Sequence, residues 1–171
     1  MDRQLWVESV LVECMIRTDR LVEANERLTR VIAAVENDPS SAARHLRFVH
    51  SKALVMIRLD RLDDARTTLD RALELFDTME PRPGVRKNPT DRLDILAARA
   101  RVLRLEGQFV EAEREINAVI AGRVAFNAET NRKPQEDWGW LAARREHALV
   151  MRDTGRPVEA RRELTTIIDI I

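Results

Sequence analysis

The sequence predicts an all-α fold, an α-solenoid of about four helix-turn-helix hairpins. Three observations predict it. A fourteen-residue pattern recurs four times along the chain. The apolar residues that follow its central alanine return at offsets sharing one helical face. Five glycines, six prolines and no tyrosine are too few turn formers for an all-β chain.

The recurring segments are "MIRTDRLVEANERL" (15–28), "MIRLDRLDDARTTL" (56–69), "LRLEGQFVEAEREI" (103–116) and "MRDTGRPVEARREL" (151–164). They align on Ala24, Ala65, Ala112 and Ala160, spaced by 41, 47 and 48 residues. Twelve residues before each anchor stands a small or β-branched side chain: Val12, Ala53, Ala100 or Ala148. Nine before it stands a long apolar one: Met15, Met56, Leu103 or Met151. Leu28, Leu69, Ile116 and Leu164 follow at the fourth place, and apolar pairs such as Val31-Ile32 and Ile167-Ile168 at the seventh and eighth. The small anchor lets two helices approach closely. Each hairpin is left with an apolar face that it must stack on a neighbour.

In chain order, the first hairpin pairs helices over about 3–17 and 21–36, and the second 40–58 with 62–79. Asp38-Pro39-Ser40 ends one helix and caps the next. "EPRPGVRKNPT" (80–90), with three prolines and a glycine, reads as a loop closed by Thr90 as N-cap. The third hairpin pairs 91–105 with 109–122. "RVAFNAETNRKPQED" (123–137) can extend the sixth helix before Lys133-Pro134 marks a break. The fourth hairpin pairs 136–153 with 157–170. Repeats over about 3–36, 40–79, 91–122 and 136–171 are expected to form one domain spanning 1–171. Within the turns, Gly107 and Gly155 suit a left-handed helix-ending residue, and Asp19 and Asp60 are the next-best choice. Glu23, Asp64, Glu111 and Glu159 put acids in the first turn of each second helix.

These residues resemble the tetratricopeptide repeat: a small residue, a Gly-x-hydrophobic turn, Glu-Ala opening the second helix and a hydrophobic pair near its end. The resemblance covers nearly the whole chain and implies a right-handed superhelix. Two departures stand out. The repeat usually has a 34-residue period, shorter than all three spacings here, as in the longer regulatory versions found in bacterial signalling proteins. Its early aromatic is replaced by Glu8, Val49, Leu96 and Arg144.

The resemblance also implies a concave groove lined by the first helix of each repeat. Carried over by alignment, the groove positions are Trp6, Ser9, Glu13, Ile16 and Arg17, then Arg47, His50, Leu54, Ile57 and Arg58. The third repeat supplies Asp94, Ala97, Arg101, Arg104 and Leu105, and the fourth Ala142, Arg145, Leu149, Arg152 and Asp153. The arginines among them make a basic lining despite zero net charge, and guanidinium forks bind carboxylates bidentately. The expected ligand is therefore an acidic segment or chain terminus of a protein or peptide, the alternative being that these arginines pair with neighbouring acids. The Lys-and-Asn clamp of chaperone-binding members is not reproduced. A regulatory or scaffolding role follows from this reading. Two others stand beside it: a homodimerisation module built on the apolar C-terminal helix and the tryptophan segment, and a ligand-sensing domain of a larger transcriptional or signalling protein.

The rest of the sequence narrows the class. No overall basic field recruits nucleic acid, and no uncharged run approaches the ~20 residues that span a bilayer. Cys14 is the only cysteine, so no disulfide forms within the chain and a cytoplasmic location is expected. Next to Met15 it reads as buried. With three lysines against 26 arginines, the composition resembles that of GC-rich bacterial genomes. His45 and His50 are five apart, off the four-residue metal spacing on a helix, and no cofactor is expected. Trp138 and Trp140 read as helix packing or as partner anchors. No phosphate loop, nucleophile elbow or paired acid–base groups predict catalysis. The final "TTIIDII" is apolar where a solenoid end is normally polar. It predicts a longer protein or a partner or second copy at this end, unless Ile170 and Ile171 fold back.

Overall fold

A computed structural model describes residues 2–80 and 87–170. Most of the expected loop (81–86) and Ile171 lie outside the described residues. Eight α-helices follow one another: α1 (Asp2–Arg17), α2 (Leu21–Val35), α3 (Ala42–Arg58), α4 (Leu62–Thr78), α5 (Pro89–Leu105), α6 (Phe109–Glu129), α7 (Trp138–Asp153) and α8 (Pro157–Ile170). Short 3-10 turns at Pro39–Ser41 and Pro134–Glu136 precede α3 and α7. No strand occurs among the described residues, and none of their helices is long and apolar enough to cross a membrane.

The chain divides into two compact units, residues 1–88 and 89–171. In the first, α1 packs on α2 and α3 on α4, and the hairpins join through α2 and α3. In the second, α5 packs on α6 and α7 on α8, joined through α6 and α7 with α5 also touching α7.

All four hairpin turns are built alike. The left-handed residues are Asp19 (φ 60°), Asp60 (59°), Gly107 (79°) and Gly155 (80°). Each amide donates to a carbonyl three residues back, and the next amide donates five back, to Met15, Met56, Leu103 or Met151. This double closure satisfies the orphan carbonyls of the helix end. The carbonyl of the residue after the left-handed one then accepts from the anchor alanine, as in Ala24 to Arg20 at 3.0 Å and Ala112 to Gln108 at 3.0 Å. The turn motif thus fixes the register of both helices it joins.

The anchors are the tightest points of the core. Ala24, Ala65 and Ala112 are 0% exposed and Ala160 is 3% exposed; Val12, Ala53, Ala100 and Ala148 are buried as well. Large apolar residues close around them, Leu28, Val55 and Leu69 in the first unit and Val102, Ile116 and Val119 in the second. Each such side chain contributes ~1.5–3 kcal/mol on burial.

At two of the four places where the repeat lacks its aromatic, charge takes over. Arg27 of α2 grips Glu8 of α1 with both ends of its fork (2.5 and 2.9 Å). In the last hairpin the polarity is reversed, and Arg144 of α7 grips Glu163 of α8 (2.5 and 2.8 Å). Bidentate pairs at half-buried sites hold geometry better than single contacts.

One boundary differs from expectation and two are sharpened. Pro89 occupies the first turn of α5, so Thr90 lies inside the helix rather than capping it. Within the Asp38-Pro39-Ser40 segment it is the Asp38 carboxylate that caps the turn before α3, accepting from the Ser40 amide at 3.0 Å and the Ser41 hydroxyl at 2.8 Å. The first part of 123–137 does extend the sixth helix, and α6 continues to Glu129. The added turns carry Arg123 and Asn127, both buried, toward Asp137, the N-cap of α7. Arg123 donates to Asp137 at 3.0 Å and also binds Asp94, while the Asn127 amide donates to Asp137 at 3.0 Å.

Candidate binding groove

In the first unit, α1 and α3 form the two walls of an open cleft of about 700 Å³. All five groove positions expected on α1 line it, namely Trp6, Ser9, Glu13, Ile16 and Arg17, together with Arg47 of α3. They do so because offsets of three and four residues keep them on one face of α1. Trp6 is 66% exposed, so an aromatic surface faces the cleft without cover. Phe48 is buried in the opposite wall. Glu13 and Arg17 neutralise each other at 2.7 Å. Arg47 is exposed and forms no ion pair among the described residues.

The other positions fall into different environments. Arg58 donates to the Ile16 carbonyl at 2.8 Å and to Asp19 at 2.7 Å, bracing the first turn against α3. Ile57 is 5% exposed and belongs to the core; the groove assignment for it is corrected. His50 and Leu54 are half-buried.

In the second unit, Arg101 and Leu149 are half-buried and Arg145 is exposed, and neither arginine is in an ion pair among the described residues. Arg152 pairs with Asp153 on its own helix at 2.7 Å. Arg104 departs most from expectation. Its side chain is 9% exposed and donates to Glu146 at 2.6 Å and Asp153 at 2.7 Å, so its fork is filled from within. Burial alone would lower its pKa; the bonds to Glu146 and Asp153 outweigh burial and raise it. Asp94, also expected in the groove, is taken by Arg123.

Other features expected from the sequence are relocated too. Cys14 is exposed rather than buried. Trp138 is 71% exposed, whereas Trp140 lies half-buried under the Arg144 guanidinium, 4.7 Å from its ring centroid. No cluster of three metal-ligating side chains occurs among the described residues. Two features went unforeseen in sequence: the Phe48 wall, and the Arg123–Asp137–Asn127 network. The four-residue spacing of Arg123 and Asn127, in line with the stripe through Ile116 and Val119, was the available sign of the network.

The tetratricopeptide-repeat family model matches residues 46–71 and 94–117, the anchor-centred parts of the second and third hairpins. Among solved structures, nearly identical TPR-like repeats assigned to a kinesin light chain of Podosopora anserina superpose with a TM-score of 0.69. Identity is 22%, over 98% of this chain and 74% of that one. A second structure of those repeats, carrying a glutamine-to-methionine substitution, gives a TM-score of 0.58 at 18% identity, covering 98% of this chain and 94% of the other. A search of curated proteins returned no match. Tetratricopeptide repeats are generally non-catalytic scaffolds for protein–protein interaction. Two of the four hairpins are thus matched as tetratricopeptide repeats by the family model, and all four carry the same turn.

Proposed function

We propose that this chain is a protein-interaction module that takes a carboxylate-bearing peptide segment of another protein into the α1–α3 cleft, in a regulatory or scaffolding role. The observation that carries this reading is the pairing of an uncovered aromatic, Trp6, with an uncommitted guanidinium, Arg47, across one open cleft. Trp6 offers a flat apolar surface at low entropic cost, and the Arg47 fork takes a carboxylate that flanks the apolar side chain seated on it. Arg101 and Arg145 offer the same chemistry in the second unit. Arg104 does not, since its two carboxylate partners are already in place.

The test is selection of peptides on the immobilised chain, followed by titration of the enriched sequences against variants. Arg47→Glu and Trp6→Ala should each weaken the selected acidic peptides by at least about tenfold while circular dichroism stays unchanged. Equal affinity for wild type and Arg47→Glu would remove the cleft from consideration.

A further inference from the structure

The two units differ at corresponding places, counted from the anchor alanines. Eight residues before Ala24 stands Ile16 of α1, and fourteen before Ala65 stands Ser51 of α3; both line the cleft of the first unit. In the second unit the same two places hold Arg104 of α5 and Glu146 of α7, joined at 2.6 Å with side chains 9% and 10% exposed. A buried ion pair therefore ties α5 to α7 where α1 and α3 form the walls of an open cleft. Asp153 fills the other arm of the Arg104 fork, so an incoming carboxylate finds no partner there.

The uncovered aromatic is displaced as well. Eighteen residues before its anchor, α1 carries Trp6, whereas α7 carries Ala142; the exposed tryptophan of α7, Trp138, stands one turn earlier. Trp138, Ala142 and Arg145 are four and three residues apart and share one face of α7. Ala142 and Arg145 are exposed, and Arg145 is in no ion pair among the described residues. The single methyl group of Ala142 leaves open ground between the ring and the guanidinium. No acid lies on this face: the two carboxylates of α7, Glu146 and Asp153, are both bonded to Arg104. The approach to the helix is basic too, with Arg132 and Lys133 exposed against Glu136.

We propose that α7 carries a second docking site for acidic peptide segments, so that one chain binds two of them. Trp138 seats an apolar side chain, Ala142 leaves it room, and the Arg145 fork takes a carboxylate. Seven residues of helix set ring and guanidinium ~10 Å apart along the axis. An extended segment covers that span in about three residues. The segment therefore carries its carboxylate about three residues from its apolar side chain. This ligand chemistry rests on the reading of the α1–α3 cleft; the place does not, since all three residues lie on α7 and none lines the cleft.

Selection of a random peptide library on the Arg47→Glu chain, whose cleft is blocked, tests this. Acidic peptides bearing an apolar residue should still be enriched. Calorimetric titration of the most enriched peptide should give two peptides per wild-type chain. Arg47→Glu or Arg145→Glu alone should leave one, and the two together none. On the Arg47→Glu background, Trp138→Ala should weaken the remaining site at least about tenfold, while Trp138→Phe keeps it. Both α7 positions are exposed, so circular dichroism should not change. If no peptide enriched on the Arg47→Glu chain loses binding with Arg145→Glu, the proposal is overturned; unchanged affinity with Trp138→Ala overturns it as well. One peptide per wild-type chain, lost with Arg145→Glu and kept with Arg47→Glu, would leave the α7 site standing and remove the cleft instead.

Discussion

Arg104 of α5 and Glu146 of α7 are joined at 2.6 Å with both side chains about nine-tenths buried, and Asp153 fills the second arm of the fork at 2.7 Å. The link spans 42 residues and locks the two first helices of the second unit together. Removing the guanidinium leaves two carboxylates facing each other in a poorly hydrated site. Arg104→Met should therefore cost ~3–5 kcal/mol in urea unfolding. Arg101→Met, three residues earlier and in no ion pair among the described residues, should stay within ~0.5 kcal/mol. Equal midpoints for the two variants would show that the triad contributes nothing.

The hairpin turns separate backbone strain from side-chain packing. Asp60 sits at φ 59°, a region costly for a residue with a Cβ. Asp60→Gly should raise stability by ~0.5 kcal/mol, the relief of that strain less the greater entropy of glycine in the unfolded chain. Gly107 lies at φ 79°, and a Cβ built there meets nothing within 4 Å. Gly107→Ala should nonetheless cost ~1 kcal/mol, all of it conformational. Opposite signs in thermal melts are expected; a neutral Gly107→Ala would mean the turn relaxes freely.

Particular residues show what sequence can and cannot carry here. The turns were legible because the left-handed position is a local demand, met by glycine or aspartate four times over. The anchors and their apolar stripes were legible because helical period is local too. The environment of a groove position is not. At one offset, eight before the anchor, Ile16 lines a cleft, Ile57 is buried and Arg152 is exposed. The offset names a face of the helix, and the neighbouring helix decides what covers it. Arg104 reads in sequence as a ligand-binding fork because its partners lie 42 and 49 residues away, on a helix whose register against α5 no local pattern reveals. The apolar neighbours of Cys14 place it in the core on sequence, yet it is exposed and lines the α1–α3 cleft.

Gly139 tests the buried network at the start of α7. A Cβ at this position would run into the guanidinium of Arg123, itself held by Asp137 and Asp94. The far end of an arginine is normally free to step aside, but here moving it breaks a pair in which Arg123 and Asp137 are 5% and 3% exposed. Gly139→Ala should therefore behave as a broken buried pair, costing ~3 kcal/mol despite adding a single methyl group. The double variant Gly139→Ala with Arg123→Met should recover part of that loss, since the clash is gone. Purely additive effects in that cycle would separate Gly139 from the network.

His45 should give the first unit a pH dependence just below neutral pH. The ring is 4% exposed, its Nε2 meets no hydrogen-bond partner, and Arg71 of α4 and Glu36 at the end of α2 face it. Burial holds its pKa below the ordinary histidine value, the Arg71 charge adds to this, and Glu36 opposes it. The unfolded chain therefore binds a proton that the folded chain refuses, and stability rises with pH in the window between the two values. Above the unfolded value of ~6.5 the contribution is fully present; it is lost as pH falls toward the depressed folded value. Urea midpoints should thus decline from pH 7 to pH 5 in wild type. His45→Leu has no proton to gain and leaves no polar nitrogen unpaired in the core. In that variant the decline should flatten, keeping only the acid-side loss from carboxylates such as Glu163, which Arg144 holds below its ordinary value and which act at lower pH. A slope unchanged by the substitution would assign the pH dependence to other groups.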